Sequence, residues 1–319
     1  MQKLSKICIV CFFYVIGDEV PTKLEDRDWD LLMRRIRAGK CTPFLGAGAD
    51  YGVLPLGSQI AQEWAKQFGY PLEDAENLAR VATYLAVEHD AMYPKEMLLE
   101  KWFRNAKPPD YTRLEEPHAT LASLPLPMYM TTNYDPFMTK ALIAAKKKPH
   151  RELCKWNTFV KNTPSIFEQN AAFVPTPEEP VVYHLHGHDE FAESLVLTED
   201  DYLDFLVRIS KDNELLPYQV RNSLSSTSLL FVGYSLADWS FRVLFRGVIN
   251  SVEQSLRRIS LTVQLPPVGE DGLTLHESEV QSYLAKYFDQ IDIRVYWGTA
   301  QEFMTELRTR WEAFQKSNA

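Results

Sequence analysis

The sequence lacks the features that mark membrane-spanning or disulfide-bonded proteins. Its 319 residues include only 4 cysteines, too few and too scattered to cross-link a chain of this length. No apolar run approaches the ~18 residues that a membrane-spanning helix requires. We therefore expect a globular protein without a membrane partner, in a reducing and cytoplasmic compartment.

An excess of basic residues is also absent. Lys and Arg number 34 against 43 Asp and Glu, which gives a formal net charge of -9. Because binding of a phosphate backbone requires clustered cations, direct nucleic-acid binding is not expected. Cys8 and Cys11 have the spacing of half a zinc site, but no second pair follows them, so we interpret both as apolar residues.

The first 26 residues are predicted to form an N-terminal extension. Lys3 and Lys6 precede the apolar run 7–16, an order that resembles the start of a signal peptide. Residues 17–21 offer no clean small-residue cleavage site, which favours a docked strand or an extension upstream of the true start. Residues 27–319 are predicted to form one domain.

Short buried strands alternate with helical periodicity along this domain. The predicted strands are 41–45, 127–132, 181–185, 228–232, 259–263 and 291–296. Successive helical stretches without a strand predict a helical insertion over about 58–125. Residues 146–180 contain prolines and have weak periodicity, so we treat them as a variable connection. The pattern predicts a doubly wound, Rossmann-like α/β fold with a mostly parallel sheet.

Glycine-rich or polar motifs follow four of the predicted strands. They read Gly46-Ala47-Gly48, Thr131-Thr132-Asn133-Tyr134-Asp135, His184-Leu185-His186-Gly187 and Gly233-Tyr234-Ser235. Ligands of open parallel sheets bind beyond the carboxyl ends of the strands, and glycines let a diphosphate approach backbone N–H groups. Asn133 alone is typical of a turn, and His186 alone of a buried structural histidine. The set together indicates a site.

The four motifs, in this order, resemble those of the sirtuin-like family, and most closely its bacterial branch found in antiviral defence. This resemblance implies NAD as substrate. It also implies a role for each matching residue: a phosphate cradle at Gly46, Ala47 and Gly48, cofactor contacts at Thr132, Gly233 and Ser235, and catalysis by Asn133, Asp135 and His186.

The predicted reaction cleaves the nicotinamide–ribose bond of NAD. The leaving group is already cationic, so the site needs no general acid, but it must position an acceptor and stabilise an oxocarbenium-like ribose. Asn133 would hold a ribose hydroxyl or the attacking water, and Asp135 the carboxamide. His186, with a pKa expected near neutrality, would take a proton from a hydroxyl or from water.

The sequence also departs from the family's pattern. Sirtuin deacetylases share a four-cysteine zinc ribbon, whereas no cysteine follows Cys154 here, which argues against deacylation. Asp50 stands where the family usually has serine. Position 51 is tyrosine, so the third glycine of a dehydrogenase fingerprint is missing. The alternating His184, His186 and His188 suggest a metal, yet the family needs none, and we expect none.

The leading hypothesis is an NAD hydrolase that releases nicotinamide and ADP-ribose, and depletes NAD in antiphage defence. One alternative is an NAD-dependent protein deacylase or ADP-ribosyltransferase. Another is a non-catalytic signalling subunit that binds NAD or ADP-ribose. Because constant NAD loss would be toxic, we expect control by a homo-oligomer or by a partner. The resemblance implies a HerA-type translocase ATPase or an Argonaute-like protein as that partner.

Overall fold

A parallel sheet forms the centre of the protein. The structure, a computed structural model, describes residues 24–113, 115–212, 214–234, 260–265, 277–290 and 292–317. Its seven strands are β1 (Cys41–Leu45), β2 (Met128–Thr131), β3 (His150–Leu153), β4 (Val181–His184), β5 (Ser228–Val232), β6 (Ser260–Gln264) and β7 (Ile293–Trp297). They lie in the order β3-β4-β2-β1-β5-β6-β7, and each described pairing is parallel.

Helices cover both faces of this sheet. The described helices are α1 (Asp26–Arg37), α2 (Gly57–Phe68), α3 (Leu78–Glu88), α4 (Tyr93–Leu98), α5 (Pro117–Ala122), α6 (Phe137–Ala144), α7 (Ile166–Gln169), α8 (Glu199–Lys211), α9 (Tyr218–Ser226), α10 (Glu277–Asp289) and α11 (Ala300–Ser317). None of these described helices is long and apolar enough to cross a membrane.

Successive strand residues face opposite cores, as the pleat of a strand requires. On β1, Phe44 packs in the core beneath α8, α9 and α10, whereas Leu45 packs in the core beneath α1, α5, α6 and α11. Helices on both faces of a parallel sheet confirm the predicted doubly wound, Rossmann-like class.

The segment predicted as a helical insertion divides between two cores. Helices α2, α3 and α4 share a core of their own, centred on Trp64, Val81 and Leu85. Helix α5 packs instead with α1 and α11 against the sheet. The extent of the insertion as a domain stays a prediction.

The variable connection over 146–180 contains secondary structure that its weak periodicity did not indicate. This connection contains the edge strand β3 and the short helix α7. Three of the four residues of β3 are polar or charged, His150, Arg151 and Glu152, so the apolar signal of a buried strand is absent there.

Gly187 shapes the loop that follows β4. Its φ of +83° lies in the left-handed region, and an added Cβ would lie 2.3 Å from the backbone oxygen and from Oγ of Ser194. The Ser194 hydroxyl accepts a hydrogen bond from the His188 N–H at 3.1 Å. Only glycine therefore lets this loop close against the turn at Ser194.

We expect Gly187→Ala to lower the free energy of unfolding by roughly 3–5 kcal/mol, because steric overlap adds to the backbone strain. Gly52 is the matched control: its φ is +88°, and no heavy atom lies within 4 Å of an added Cβ. Gly52→Ala should cost only about 1–2 kcal/mol. Urea unfolding measures both values, and equal losses in the two variants would contradict this account.

Candidate active site

The four predicted motifs follow four adjacent strands. Strands β4, β2, β1 and β5 are consecutive neighbours in the sheet, and all run in one direction. Their carboxyl ends therefore lie along one edge, where ligands of doubly wound sheets bind. Ser235, the last residue of the fourth motif, lies outside the described residues.

The glycine turn after β1 packs directly on the turn after β5. The Gly46 N–H donates to Val232 O at 2.9 Å, and the Gly48 N–H donates to Gly233 O at 2.9 Å. A Cβ on Gly46 would lie 2.8 Å from Gly233 O, and one on Gly48 2.9 Å from Gly233 Cα. These glycines are thus required for contact between two backbones. Both N–H groups are already bonded within the protein, so neither is an unpaired donor for a phosphate.

The side-chain amide of Asn133 is fixed by two acceptors. Its Nδ2 donates to Gly46 O at 3.0 Å and to Asp50 Oδ2 at 2.7 Å. Because a carbonyl and a carboxylate only accept, the amide nitrogen must face them. Its Oδ1 has no protein donor in the described part of the chain, and it remains available as an acceptor.

Thr132 joins the second motif to the fourth. Its Oγ1 lies 2.8 Å from the hydroxyl of Tyr234, and that hydroxyl donates to Leu45 O at 2.7 Å. Since the tyrosine proton is directed at Leu45, Thr132 donates to Tyr234. The Thr132 hydroxyl therefore fixes the distance between β2 and the turn after β5.

Asp135 belongs to a buried cluster that the sequence did not reveal. Its Oδ1 accepts the Phe137 N–H at 2.8 Å at the start of α6. Its Oδ2 is buried without a protein partner in the described part of the chain. Side-chain atoms of Asp50, His118 and Asp135 lie within 4.8 Å of one another. Burial, with the nearby Asp50 carboxylate, holds the pKa of Asp135 well above its usual range.

His118 supplies the positive charge of this cluster. Its Nδ1 lies 2.7 Å from Glu116 Oε1, and its Nε2 lies 3.3 Å from Asp50 Oδ1, an ion-pair distance that is long for a hydrogen bond. Although burial opposes protonation, the contacts to Asp50 and Glu116 raise the pKa of His118 to about 10. The grouping is close enough to hold a cation, but the imidazolium already places positive charge between the carboxylates.

A second set of contacts holds the backbone of Asn133. Arg151 on β3 donates through Nε to His184 Nε2 at 3.2 Å, and His184 Nδ1 lies 2.9 Å from Asn133 O. Because arginine cannot accept, His184 carries its proton on Nδ1 and donates it to Asn133 O. Arg151 also binds Tyr134 O at 3.0 Å and Asp189 at 2.7 Å. The sequence missed Arg151 because it missed β3.

His186 does not share a face with the neighbouring histidines. The rings of His184 and His188 are 5.3 Å apart, whereas His186 packs edge-on against Tyr202 and Phe205 of α8. Strand β4 ends at His184, so the predicted alternation does not continue. Among the described residues, no hydrogen bond joins His186 to Asn133 or Asp135.

The expectation of a near-neutral pKa for His186 was wrong for this structure. The side chain is 5% exposed, and its Nε2 is buried without a protein partner among the described residues. Burial lowers the pKa of His186 to about 3. The imidazole is therefore neutral, and one ring nitrogen is available to accept a proton or a hydrogen bond.

A sequence profile of the SIR2-like domain matches residues 127–291. This match is just over half of the 319 residues, and it spans the second, third and fourth motifs. The chain belongs to the SIR2-like family. The resemblance recognised from the motifs is thereby confirmed.

Curated relatives of this SIR2-like chain include two proteins named NAD(+) hydrolase ThsA. The protein from Cytobacillus dafuensis is 28% identical over 179 residues, covering 56% of this chain and 32% of the relative. The protein from Bacillus cereus (strain MSX-D12) is 27% identical over 220 residues, covering 67% and 41%. The SIR2-like chain thus spans roughly a third to two fifths of these relatives.

Among solved structures, a chain described under "Structural Basis for the Mechanism and Regulation of Sir2 Enzymes" aligns with a TM-score of 0.40 and 12% identity. The alignment covers 92% of the SIR2-like chain and 100% of the solved chain. The fold class given above rests on the sheet topology itself.

We expect the buried His186 to destabilise the SIR2-like fold in acid. Below its ordinary pKa of 6.5 the unfolded histidine binds a proton, whereas the folded one stays neutral until about pH 3. Stability from this group is thus present above pH 6.5 and lost as the pH falls toward 3, by about 2 kcal/mol at pH 5. His186→Gln should remove that loss.

Urea unfolding between pH 8 and pH 5 measures this difference in slope. An unchanged slope in His186→Gln would show that His186 is not buried neutral in solution.

Proposed function

We propose that this chain binds NAD at the carboxyl edge of its sheet and hydrolyses the nicotinamide–ribose bond, releasing nicotinamide and ADP-ribose. The observation that carries this proposal is the fixed amide of Asn133, which leaves Oδ1 as an acceptor beside the glycine turn. Membership of the SIR2-like family and similarity to proteins named NAD(+) hydrolase support it.

In the proposed reaction the C–N bond breaks and its electron pair goes to the pyridine nitrogen, which makes nicotinamide neutral. Water adds to the ribose cation at C1′ and then loses a proton. Asn133 Oδ1 would accept a hydrogen bond from this water or from a ribose hydroxyl. His186, neutral in the structure, would accept a hydrogen bond from a ribose hydroxyl or from this water at its unpartnered Nε2.

The remaining motif residues would hold the substrate. Asp135 would bind the nicotinamide carboxamide through its unpartnered Oδ2. The diphosphate would lie along Gly46, Ala47 and Gly48, with Thr132, Gly233 and Ser235 facing the rest of the dinucleotide. No metal step is needed, because the leaving group already carries a positive charge in NAD.

Two other functions use the same site. A deacylase or ADP-ribosyltransferase would share the first bond cleavage but pass the ribose to a protein acceptor. The absence of cysteine after Cys154 rules out the four-cysteine ribbon of deacetylases and disfavours this alternative. A signalling subunit that binds NAD or ADP-ribose without turnover would need the cradle but not Asn133 or His186.

We expect the purified protein to hydrolyse etheno-NAD in the presence of EDTA. The hydrolysis is measured as an increase in fluorescence. Asn133→Ala and His186→Ala should each reduce turnover by at least ~10²-fold while NAD still binds in calorimetry, because each removes a group acting on the transition state. His150→Gln should match the wild type. Faster turnover of an acyl-peptide than of NAD, or full activity in both variants, would refute the proposal.

We further propose that turnover serves antiphage defence through NAD depletion, and that assembly controls it. A permanently active NAD hydrolase would harm the cell that makes it. Control by a homo-oligomer, or by a separate HerA-type translocase ATPase or Argonaute-like protein, would restrict activity to infection.

Turnover per chain is accordingly expected to fall on dilution, together with the weight-average mass in analytical ultracentrifugation. Adding a candidate partner should restore turnover at the low concentration. A monomer whose turnover per chain is constant across the dilution series would contradict control by assembly while leaving the hydrolase proposal intact.

A further inference from the structure

We propose that Asp50 is a positioning residue: with His118 and Glu116, it selects the orientation of the Asn133 carboxamide that presents Oδ1 to the substrate. The effect on turnover rests on the proposed function. The effect on the amide rests on contacts within the protein alone.

The Asn133 amide can present either Nδ2 or Oδ1 to Gly46 O and Asp50, and these two orientations differ greatly in energy. In the observed one, Nδ2 meets Gly46 O at 3.0 Å and Asp50 Oδ2 at 2.7 Å. Rotation by 180° would direct Oδ1 at two acceptors and leave Oδ1 and Asp50 Oδ2 without a donor, whereas Gly46 O would keep the Ala49 N–H at 2.9 Å. A hydrogen bond to a carboxylate is roughly twice as strong as one to a neutral carbonyl. Asp50 therefore contributes most of the preference.

Asp50 is buried, with 3% of its surface exposed, so its acidic side chain needs a compensating partner. The His118 imidazolium, 3.3 Å from Asp50 Oδ1, supplies the charge that burial requires. Glu116 holds His118 from the opposite side at 2.7 Å. Its second carboxylate oxygen accepts the Ala119 N–H at the start of α5.

The contacts from Glu116 through His118 and Asp50 to Asn133 connect three elements that are distant along the chain. Glu116 and His118 are fixed at the start of α5, Asp50 ends the short helical turn after β1, and Asn133 follows β2. The start of α5 is thus joined to an amide at the edge of the sheet by side chains alone. Among the described residues, no other acidic side chain hydrogen-bonds to the Asn133 amide.

Selective ¹⁵N-asparagine labelling tests the orientation directly. The Asn133 side-chain resonances are assigned by their loss in Asn133→Ala. We expect Asp50→Ala to shift and broaden them, because the amide then samples both orientations. Asp50→Asn keeps one acceptor oxygen and should have a smaller effect, and His118→Gln should also release the amide. Asp110→Ala, which removes an exposed carboxylate from the segment that precedes α5 in sequence, should change nothing.

Turnover of NAD provides the second readout. Asp50→Ala should lower kcat on the order of 10²-fold, as a misplaced catalytic group does, while KM for NAD stays nearly constant. Asp50→Asn should recover part of kcat. A role in folding alone would lower the active fraction and the melting temperature, and would not produce this order of amide shifts.

Unchanged Asn133 resonances in folded Asp50→Ala would overturn the proposal, and so would an unchanged kcat beside an active wild type. An inactive wild type would instead refute the proposed function. In that case the amide resonances alone decide whether Asp50 orients Asn133, so failure of one idea is distinguishable from failure of the other.

Discussion

The fixed position of Asn133 is the constraint on which the rest of the site depends. Its N–H is bound by Thr131 Oγ1 at 2.9 Å, its carbonyl by His184, and its amide by Gly46 O and Asp50. These partners lie at the end of β2 itself, at the end of its neighbour β4, and in the turn that follows its other neighbour β1. A shift in the register of either neighbouring strand would remove at least one of them. The sheet therefore places this residue more tightly than a loop could.

The groups that hold Asn133 on either side include buried charges, and each of these charges is compensated by a charge of opposite sign. On one side Arg151, 12% exposed in its side chain, pairs with Asp189 and binds a neutral histidine. On the other side an imidazolium lies between Glu116 and Asp50. Burial together with the nearby Arg151 charge keeps the pKa of His184 well below its ordinary value, whereas paired carboxylates raise that of His118. Two histidines near one asparagine thus carry opposite charge states because of their neighbours.

Much of the fold and part of the site could be predicted from the sequence. Buried strands such as β1 and β5 have continuous apolar runs, and the motifs at their ends are local in sequence. Strand β3 is polar and was missed, and Arg151 with it. His118 and Asp50 were missed as partners because no local pattern joins residues on separate elements. The low pKa of His186 depends on packing against Tyr202 and Phe205, which only the assembled fold shows.

The protein itself supplies hydrogen-bond partners for some polar groups of the site but not for others. The Asn133 amide has its donors satisfied, but Asp135 Oδ2 and His186 Nε2 are buried without partners among the described residues. An unsatisfied buried polar atom costs about 1–3 kcal/mol. A ligand whose hydrogen-bonding groups match both atoms recovers this free energy on binding. Under the proposed function, NAD offers its carboxamide group to Asp135 Oδ2 and a ribose hydroxyl to His186 Nε2, so binding free energy would come from the same contacts that align the reacting bond.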